Sequence, residues 1–161
     1  MPHDKTPMTP AVRGLRENGV VFSEHPYPYV EHGGTANFAR EAGVDEHLVV
    51  KTLVMEDETK KPFVVLMHGD REVSTKELAR TLGVKSVRPC APDTAERHSG
   101  YQVGGTSPFG LRKPMPVYVE ASILDLPKIY INGGKRGFII GLAPQDLVRV
   151  LKPTPVRVAI A

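Results

Sequence analysis

The sequence predicts a single domain of α/β class, mixed or α+β in arrangement. Three observations predict it. The chain has 161 residues, the size of one domain with a substantial core. Helix-capping signals and short apolar runs follow one another without the regular βαβ alternation of a doubly wound sheet. Two neighbouring apolar runs, 49–56 and 63–68, are joined by a polar turn, the pattern of a hairpin with a longer loop.

The elements follow in order. Residues 1–7 read as a flexible tail ahead of a domain covering 8–161. Thr9-Pro10 offers an N-cap and a proline at the first helical position, with Ala11, Val12 and Leu15 on one face, ending near Asn18-Gly19. Residues 20–25 read as a strand, broken by Pro26 and Pro28. Thr35 can cap a short helix stopped by Gly43. Ser74-Thr75-Lys76-Glu77 fits a capping box before Leu78, Ala79 and Leu82, with Gly83 ending the helix. A strand at 84–88 and a helix at 93–98 follow. Further strands are expected at Val117–Glu120, 129–132 and Phe138–Leu142, then a helix over Pro144–Leu151 and a final strand at 156–160.

Composition excludes several classes. Apolar residues make up 40% and charged residues 24%, as in ordinary globular protein. No apolar run is long enough to span a bilayer, and the N-terminus lacks a signal-peptide core. With one cysteine, Cys90, neither an internal disulfide nor a cysteine zinc site can form, and a cytoplasmic location is the default expectation. Residues 1–100 carry 13 Lys/Arg against 15 Asp/Glu, whereas residues 101–161 carry 8 against 3. The basic surplus suits a phosphate-bearing partner, and a solvated basic face explains it as well.

The surplus coincides with two glycine clusters, Gly100-Tyr101-Gln102-Val103-Gly104-Gly105-Thr106-Ser107-Pro108-Phe109-Gly110 and Gly133-Gly134-Lys135-Arg136-Gly137. Glycine permits positive φ and close approach of a ligand to the main chain. The first cluster is not a nucleophile elbow: its spacing after Ser107 is one residue too long, and Pro108 has no N–H for an oxyanion. It is not a P-loop, because Leu111 stands where the lysine belongs. Ser107 fits ligand binding and turn stabilisation alike. The histidines His3, His25, His32, His47, His68 and His98 show no paired metal-ligand spacing, and no metal or cofactor is expected. Cys90 reads as a small hydrophobe. Lys51 shares one face of its strand with Leu53 and Met55. It is either a functional ammonium over an apolar pocket or a strand-end lysine reaching for water.

Together, Val50-Lys51-Thr52-Leu53 and the two glycine clusters resemble the YbaK/EbsC family of aminoacyl-tRNA deacylases, best known for Cys-tRNA(Pro) deacylases, in the prolyl-tRNA synthetase editing-domain superfamily. Met8-Thr9-Pro10-Ala11-Val12 is similar to the start of such proteins. The resemblance runs from about Met8 to Leu151. It implies a compact mixed α/β fold around a strongly curved sheet and a free-standing enzyme that clears mischarged tRNA. It implies that Lys51 is the essential lysine and that Gly104, Gly105, Thr106, Ser107 and Pro108 form the substrate loop. Tyr27 and Phe38 would line the pocket, and Gly133 and Gly134 would form a second glycine turn.

The implied substrate is Cys-tRNA(Pro), with Cys-tRNA(Cys) as a second option, and prolyl-tRNA synthetase is an implied partner. The implied chemistry is attack by the substrate's own thiol, a cyclisation rather than an enzyme-borne nucleophile. Arg112, Lys113, Lys135 and Arg136 are candidates for phosphate contact. One position departs from the family: relatives often carry aspartate two residues after Gly-Gly-Lys-Arg-Gly, and this chain has Ile139. Deacylation of Ala- or Ser-tRNA, and a non-catalytic module binding tRNA ends or nucleotides, are the alternatives.

Overall fold

A computed structural model describes residues 6–161. Of the expected tail, residues 1–5 lie outside the described residues, while Thr6 and Pro7 are half-buried. The first helix, α1 (Pro10–Glu17), starts as its sequence dictates: the Thr9 hydroxyl accepts from Val12 N–H, and Pro10 takes the first turn. Such a cap contributes about 1 kcal/mol. Its C-terminus closes when Val20 N–H donates to Leu15 C=O. That bond ties Val20 to the helix, so strand β1 begins later than expected and covers Ser23–Pro26.

Helix α2 (Gly34–Ala42) ends at Gly43, whose φ of +67° only glycine adopts without strain. Thr35 does not cap it. The cap position is Gly33, and the Thr35 hydroxyl instead bonds Glu46 Oε2 at 2.7 Å and Gly69 C=O at 3.3 Å. A tertiary partner has taken the group that local sequence assigned to the helix end. Strands β2 (Val49–Asp57) and β3 (Pro62–His68) form the expected hairpin, followed by β4 (Glu72–Val73). Helix α3 (Thr75–Leu82) carries the expected Ser74 cap. Next come β5 (Val87–Pro89), α4 (Pro92–Ser99), β6 (Val117–Glu120), β7 (Ile129–Lys135), β8 (Phe138–Leu142) and α5 (Pro144–Leu151).

The expected last strand divides into β9 (Thr154–Val156) and β10 (Ala159–Ile160). The buried Glu120 carboxylate causes the division, accepting from Val158 N–H at 2.7 Å and Ala159 N–H at 3.0 Å. Those two donors are diverted from strand pairing to a buried charge.

The strands build one large mixed sheet in the order β1-β8-β7-β2-β3-β6-β9, with β5 also paired to β2, while β10 pairs β4 separately. Parallel pairs β7–β2, β3–β6 and β6–β9 are interleaved with antiparallel ones. One sheet face buries the main core: Val50, Val64, Leu66, Ile129, Ile131 and Ile140 pack with Leu15 of α1 and Leu147 of α5. The other face is split. Met55, Phe63, Val65 and Met67 pack under Leu78 and Ala79 of α3. Val49 and Ile139 pack under Phe38 and Ala39 of α2. Lys51 lies on β2 between these two clusters.

Cys90 faces a carboxylate. Its thiol donates to Glu56, which Arg88 holds with two hydrogen bonds at 2.9 and 3.0 Å. Arg88 does not activate the thiol; burial and the Glu56 charge push it up to about 11. At pH 8 a group at that value is roughly a thousandth thiolate, against about a quarter for free cysteine. Alkylation by iodoacetamide, followed by mass spectrometry, is therefore expected to run at least ~100-fold slower than with free cysteine. Labelling at the free-cysteine rate contradicts this environment.

Candidate functional site

Strand register places Lys51. In the parallel pair β2–β7, Val49 lies opposite Tyr130 and Val50 opposite Ile131. The next residues along each strand are Lys51 and Asn132, which by alternation share the face of Val49 and Tyr130. Asn132 is paired across β8 with Ile139, and Ile139 across β1 with His25. One row across four strands thus reads Lys51, Asn132, Ile139, His25. The Lys51 side chain is 21% exposed, and Nζ lies 3.5 Å from Glu72 Oε1, whose own side chain is 73% exposed. So the side chain is largely sheltered while its contact with Glu72 is exposed, and such a pair contributes only about 0–1 kcal/mol.

The first glycine cluster sits beside this row. Asn132 Nδ2 donates to Gly104 C=O at 3.1 Å, and Arg136 Nε donates to Val103 C=O at 2.8 Å. The Arg136 guanidinium also lies 5.1 Å from the Tyr29 ring centroid, a cation–π contact. Arg136 is therefore committed to the loop. A Cβ on Gly105 would stand 2.8 Å from Arg136 N, so the loop rests directly on the hairpin backbone.

Within the loop, Gly104 is exposed, Thr106 is half-buried, and Gly105, Ser107 and Pro108 are buried. The Ser107 hydroxyl accepts from Phe109 N–H at 3.2 Å; its side chain stabilises the turn. No acceptor among the described residues takes the N–H of Thr106 or Ser107. Buried backbone donors without a partner are rare, and these two border the accessible part of the loop.

The second glycine cluster is part strand and part turn: Arg136-Gly137 make the turn into β8, while Gly133 and Gly134 do not. Gly133 and Gly134 belong to β7 and form a bulge: Asn132 pairs with Ile139, and Lys135 pairs with Phe138. Gly134 has φ +99°, and a Cβ there would stand 2.8 Å from the Tyr101 ring. Behind the bulge, the Thr9 hydroxyl donates to Gly133 C=O. Tyr101 donates its phenol to Phe109 C=O, and burial pushes that phenol up to about 12, so it remains a donor. Thr9 therefore caps α1 and holds the bulge at once.

The aromatic wall comes from α2 and the segment after β1. Phe38 is 1% exposed, with its ring 5.2 Å from Tyr27 and 5.9 Å from Tyr130. Tyr27, held by its N–H on Gly137 C=O at 2.9 Å, is half-buried and more accessible than Phe38. Tyr27 thus presents the ring and Phe38 backs it. His25 contacts Tyr130 edge-on at 5.2 Å and bonds Ser23 Oγ at 2.7 Å. Burial, then the Lys128 charge, lowers its pKa. Ile139, 6% exposed, completes an apolar floor with Val49 and Phe38.

Sequence spacing gave no sign of Asn132, Tyr29 or Tyr130 as site residues. Nor did it show that His47, His68 and Asp70 converge, with ligand-type atoms within 4.8 Å of one another. His68 Nδ1 donates to His47 C=O at 2.8 Å and Nε2 accepts from Ser122 Oγ at 2.7 Å. His47 Nδ1 donates to Asp70 at 2.9 Å. The two rings are stacked, 3.8 Å apart and 6° from parallel. Imidazole lone pairs lie in the ring plane, so parallel stacked rings cannot both aim at one ion. Both His68 nitrogens are also occupied. The cluster braces the ends of β2 and β3 against the Ser122 turn. Arg112 and Lys113 donate their backbone N–H groups to Ser99 and His98. Arg112 lines an open groove of about 700 Å³ with Asp93, Glu96, Arg97 and the start of the loop, Gly100-Tyr101-Gln102.

A lysine, a glycine loop with unpaired N–H groups and an aromatic cluster thus gather along one row of the sheet face, that of Lys51, Asn132, Ile139 and His25. The chain belongs to the aminoacyl-tRNA editing domain family, whose model matches residues 33–150. It is 30% identical over 141 residues to the Enterococcus faecalis protein named "Putative Cys-tRNA(Pro)/Cys-tRNA(Cys) deacylase EbsC", covering 87% of this chain and 86% of that one. A crystal structure described as "a putative trans-editing enzyme for prolyl tRNA synthetase" superposes with a TM-score of 0.82 at 20% identity, over 97% of this chain and 99% of that one. A proline–tRNA ligase of Nitratidesulfovibrio vulgaris is 29% identical over 104 residues, 65% of this chain and 16% of the ligase. Among the described residues, no helix is long and apolar enough to cross a membrane.

Proposed function

We propose that this protein hydrolyses the ester of mischarged aminoacyl-tRNA, with Cys-tRNA(Pro) as its principal substrate. The observation that carries the reading is the placement of Lys51 on the sheet face beside a glycine loop whose Thr106 and Ser107 N–H groups have no acceptor. The 30% identity to EbsC supports it.

An aminoacyl ester is already activated, so the protein must chiefly position it and stabilise the developing oxyanion. The free N–H groups of the loop take the ester carbonyl, and the Lys51 ammonium adds positive charge at the carbonyl or the terminal ribose. The substrate's thiol attacks its own carbonyl: the S–C bond forms, the C–O bond to ribose breaks, and the ribose oxygen takes up the proton that the thiol gives up. Water then opens the cyclic thioester to free cysteine. No protein nucleophile takes part in this sequence.

The apolar side chain of Ile139, backed by the buried Phe38 and Val49, favours a weakly hydrated thiol over a hydroxyl. Burying an unpaired hydroxyl costs about 1–3 kcal/mol, so discrimination of Cys over Ser of about 5- to 150-fold is expected. Deacylation rates should be measured for Cys-, Ala- and Ser-tRNA(Pro) beside Cys-tRNA(Cys). Fastest turnover of Cys-tRNA(Pro) is the expected result. Faster turnover of Ala- or Ser-tRNA(Pro) would overturn the thiol chemistry, and no turnover of any of the four would overturn the enzymatic reading.

A further inference from the structure

We propose that Asn132 is the positioning residue of this pocket: its amide ties the glycine loop to the β-bulge and thereby sets the loop's geometry toward the substrate. The proposal rests on the reading of the loop as the surface that holds the ester.

A neutral amide offers two N–H donors and one carbonyl acceptor. Asn132 spends them on the two glycine clusters. Its Oδ1 accepts from Gly134 N–H at 2.7 Å and from Lys135 N–H at 3.1 Å, and its Nδ2 donates to Gly104 C=O at 3.1 Å. The partners fix which end is which, because backbone N–H groups can only meet the oxygen and a carbonyl only the nitrogen. The bulge explains why the acceptor is needed. It breaks the β8 register between Asn132 and Lys135, and the side-chain oxygen takes Gly134 and Lys135 N–H at this break.

The donor end orients the loop. In a trans peptide the C=O and the following N–H point in opposite directions. Drawing Gly104 C=O toward Asn132 turns Gly105 N–H away, where Gln102 C=O accepts it at 2.8 Å. The two preceding peptide units are held as well: Arg136 takes Val103 C=O, and Glu96 accepts from Val103 N–H at 3.2 Å. The stem of the loop is therefore fixed up to Gly105, and Thr106 and Ser107 follow with their N–H groups unpaired. Asn132 touches no reacting atom in this scheme and acts through the loop.

Two variants test it. Asn132→Asp keeps the acceptor for the bulge but, as a carboxylate, cannot donate to Gly104 C=O. Asn132→Ala loses both ends. With Cys-tRNA(Pro), both are expected to lower kcat about 10- to 100-fold while KM stays within about threefold, since a displaced reacting group costs on that order. In both, amide hydrogen exchange at Gly105, whose N–H is held by Gln102 C=O, measured without substrate, should speed up about tenfold as the stem loosens. Wild-type kcat together with wild-type exchange in Asn132→Asp overturns the proposal. A kcat loss that tracks a fall in Tm and vanishes on cooling also overturns it, because it marks a purely structural role. If the wild-type protein turns over no aminoacyl-tRNA, the ester reading fails, while the exchange comparison still decides whether Asn132 holds the loop.

Discussion

Replacing Lys51 with alanine is expected to slow deacylation of Cys-tRNA(Pro) by about 100- to 1,000-fold, the usual effect of removing one group that stabilises an oxyanion. The structure separates this from a folding defect. Lys51 sits in the gap between two apolar clusters and belongs to neither, so its loss opens no cavity in a core. Its ion pair with the exposed Glu72 contributes little. Far-ultraviolet circular dichroism and Tm should therefore stay near wild type, within about 3 °C. Two companions sharpen the result. Lys51→Met keeps the stem and removes the charge, and should be as slow as the alanine variant. Glu72→Gln should change the rate less than about threefold. A Lys51→Ala protein that keeps the wild-type rate returns Lys51 to a strand-end lysine reaching for water.

Gly105→Ala is the second large effect, acting through backbone instead of charge. The new methyl would stand 2.8 Å from Arg136 N and 3.0 Å from Lys135 C. These are main-chain atoms of a strand end and its turn, which cannot rotate away as a side chain can. The loop must lift from the hairpin, weakening the Gly104–Asn132 and Val103–Arg136 hydrogen bonds together. Overpacking of this kind costs about 1–3 kcal/mol, which at this chain length lowers Tm by about 2–4 °C per kcal/mol. Activity should fall at least ~100-fold, because the donors at Thr106 and Ser107 move with the loop. Calorimetry and single-turnover deacylation measure the two losses. Full activity in Gly105→Ala would falsify the view that contact between loop and hairpin sets the site.

Much of this fold was legible because its signals are local. Thr9-Pro10, Ser74, Gly43 and Gly83 each mark a helix end through chemistry confined to a few residues, and each works as read; the Glu77 half of the capping box does not form, because Ser74 N–H donates to Val158 C=O and Glu77 pairs with Arg80. The β2–β3 hairpin and the lysine on its first strand were equally plain. What escaped was decided by partners far along the chain. Thr35 answers to Glu46 and Gly69, and Glu120 divides the last strand by binding backbone 38 and 39 residues away. The family resemblance implies a turn at Gly133-Gly134; a bulge needs the same φ freedom, and only the register of β8 distinguishes the two. Asn132 gave no signal, since it reads as the last residue of an expected strand and its partners, Gly104 and the bulge, come from outside that strand's pattern. The stacked histidines lie 21 residues apart and meet only once their strands pair.

Strand β2 pairs with β3 close by, with β5 further on and with β7 near the far end of the chain. That connectivity imposes an order on assembly. The hairpin closes early, but the parallel partner that sets Lys51 beside Asn132 joins only after a long loop has been closed, an intrinsically slow step. A nascent chain that has not yet reached Ile129 carries the lysine without its counterpart. Competence for ligand thus arrives with about the final fifth of synthesis, and a truncated or stalled chain is expected to fold its hairpin while remaining functionally silent.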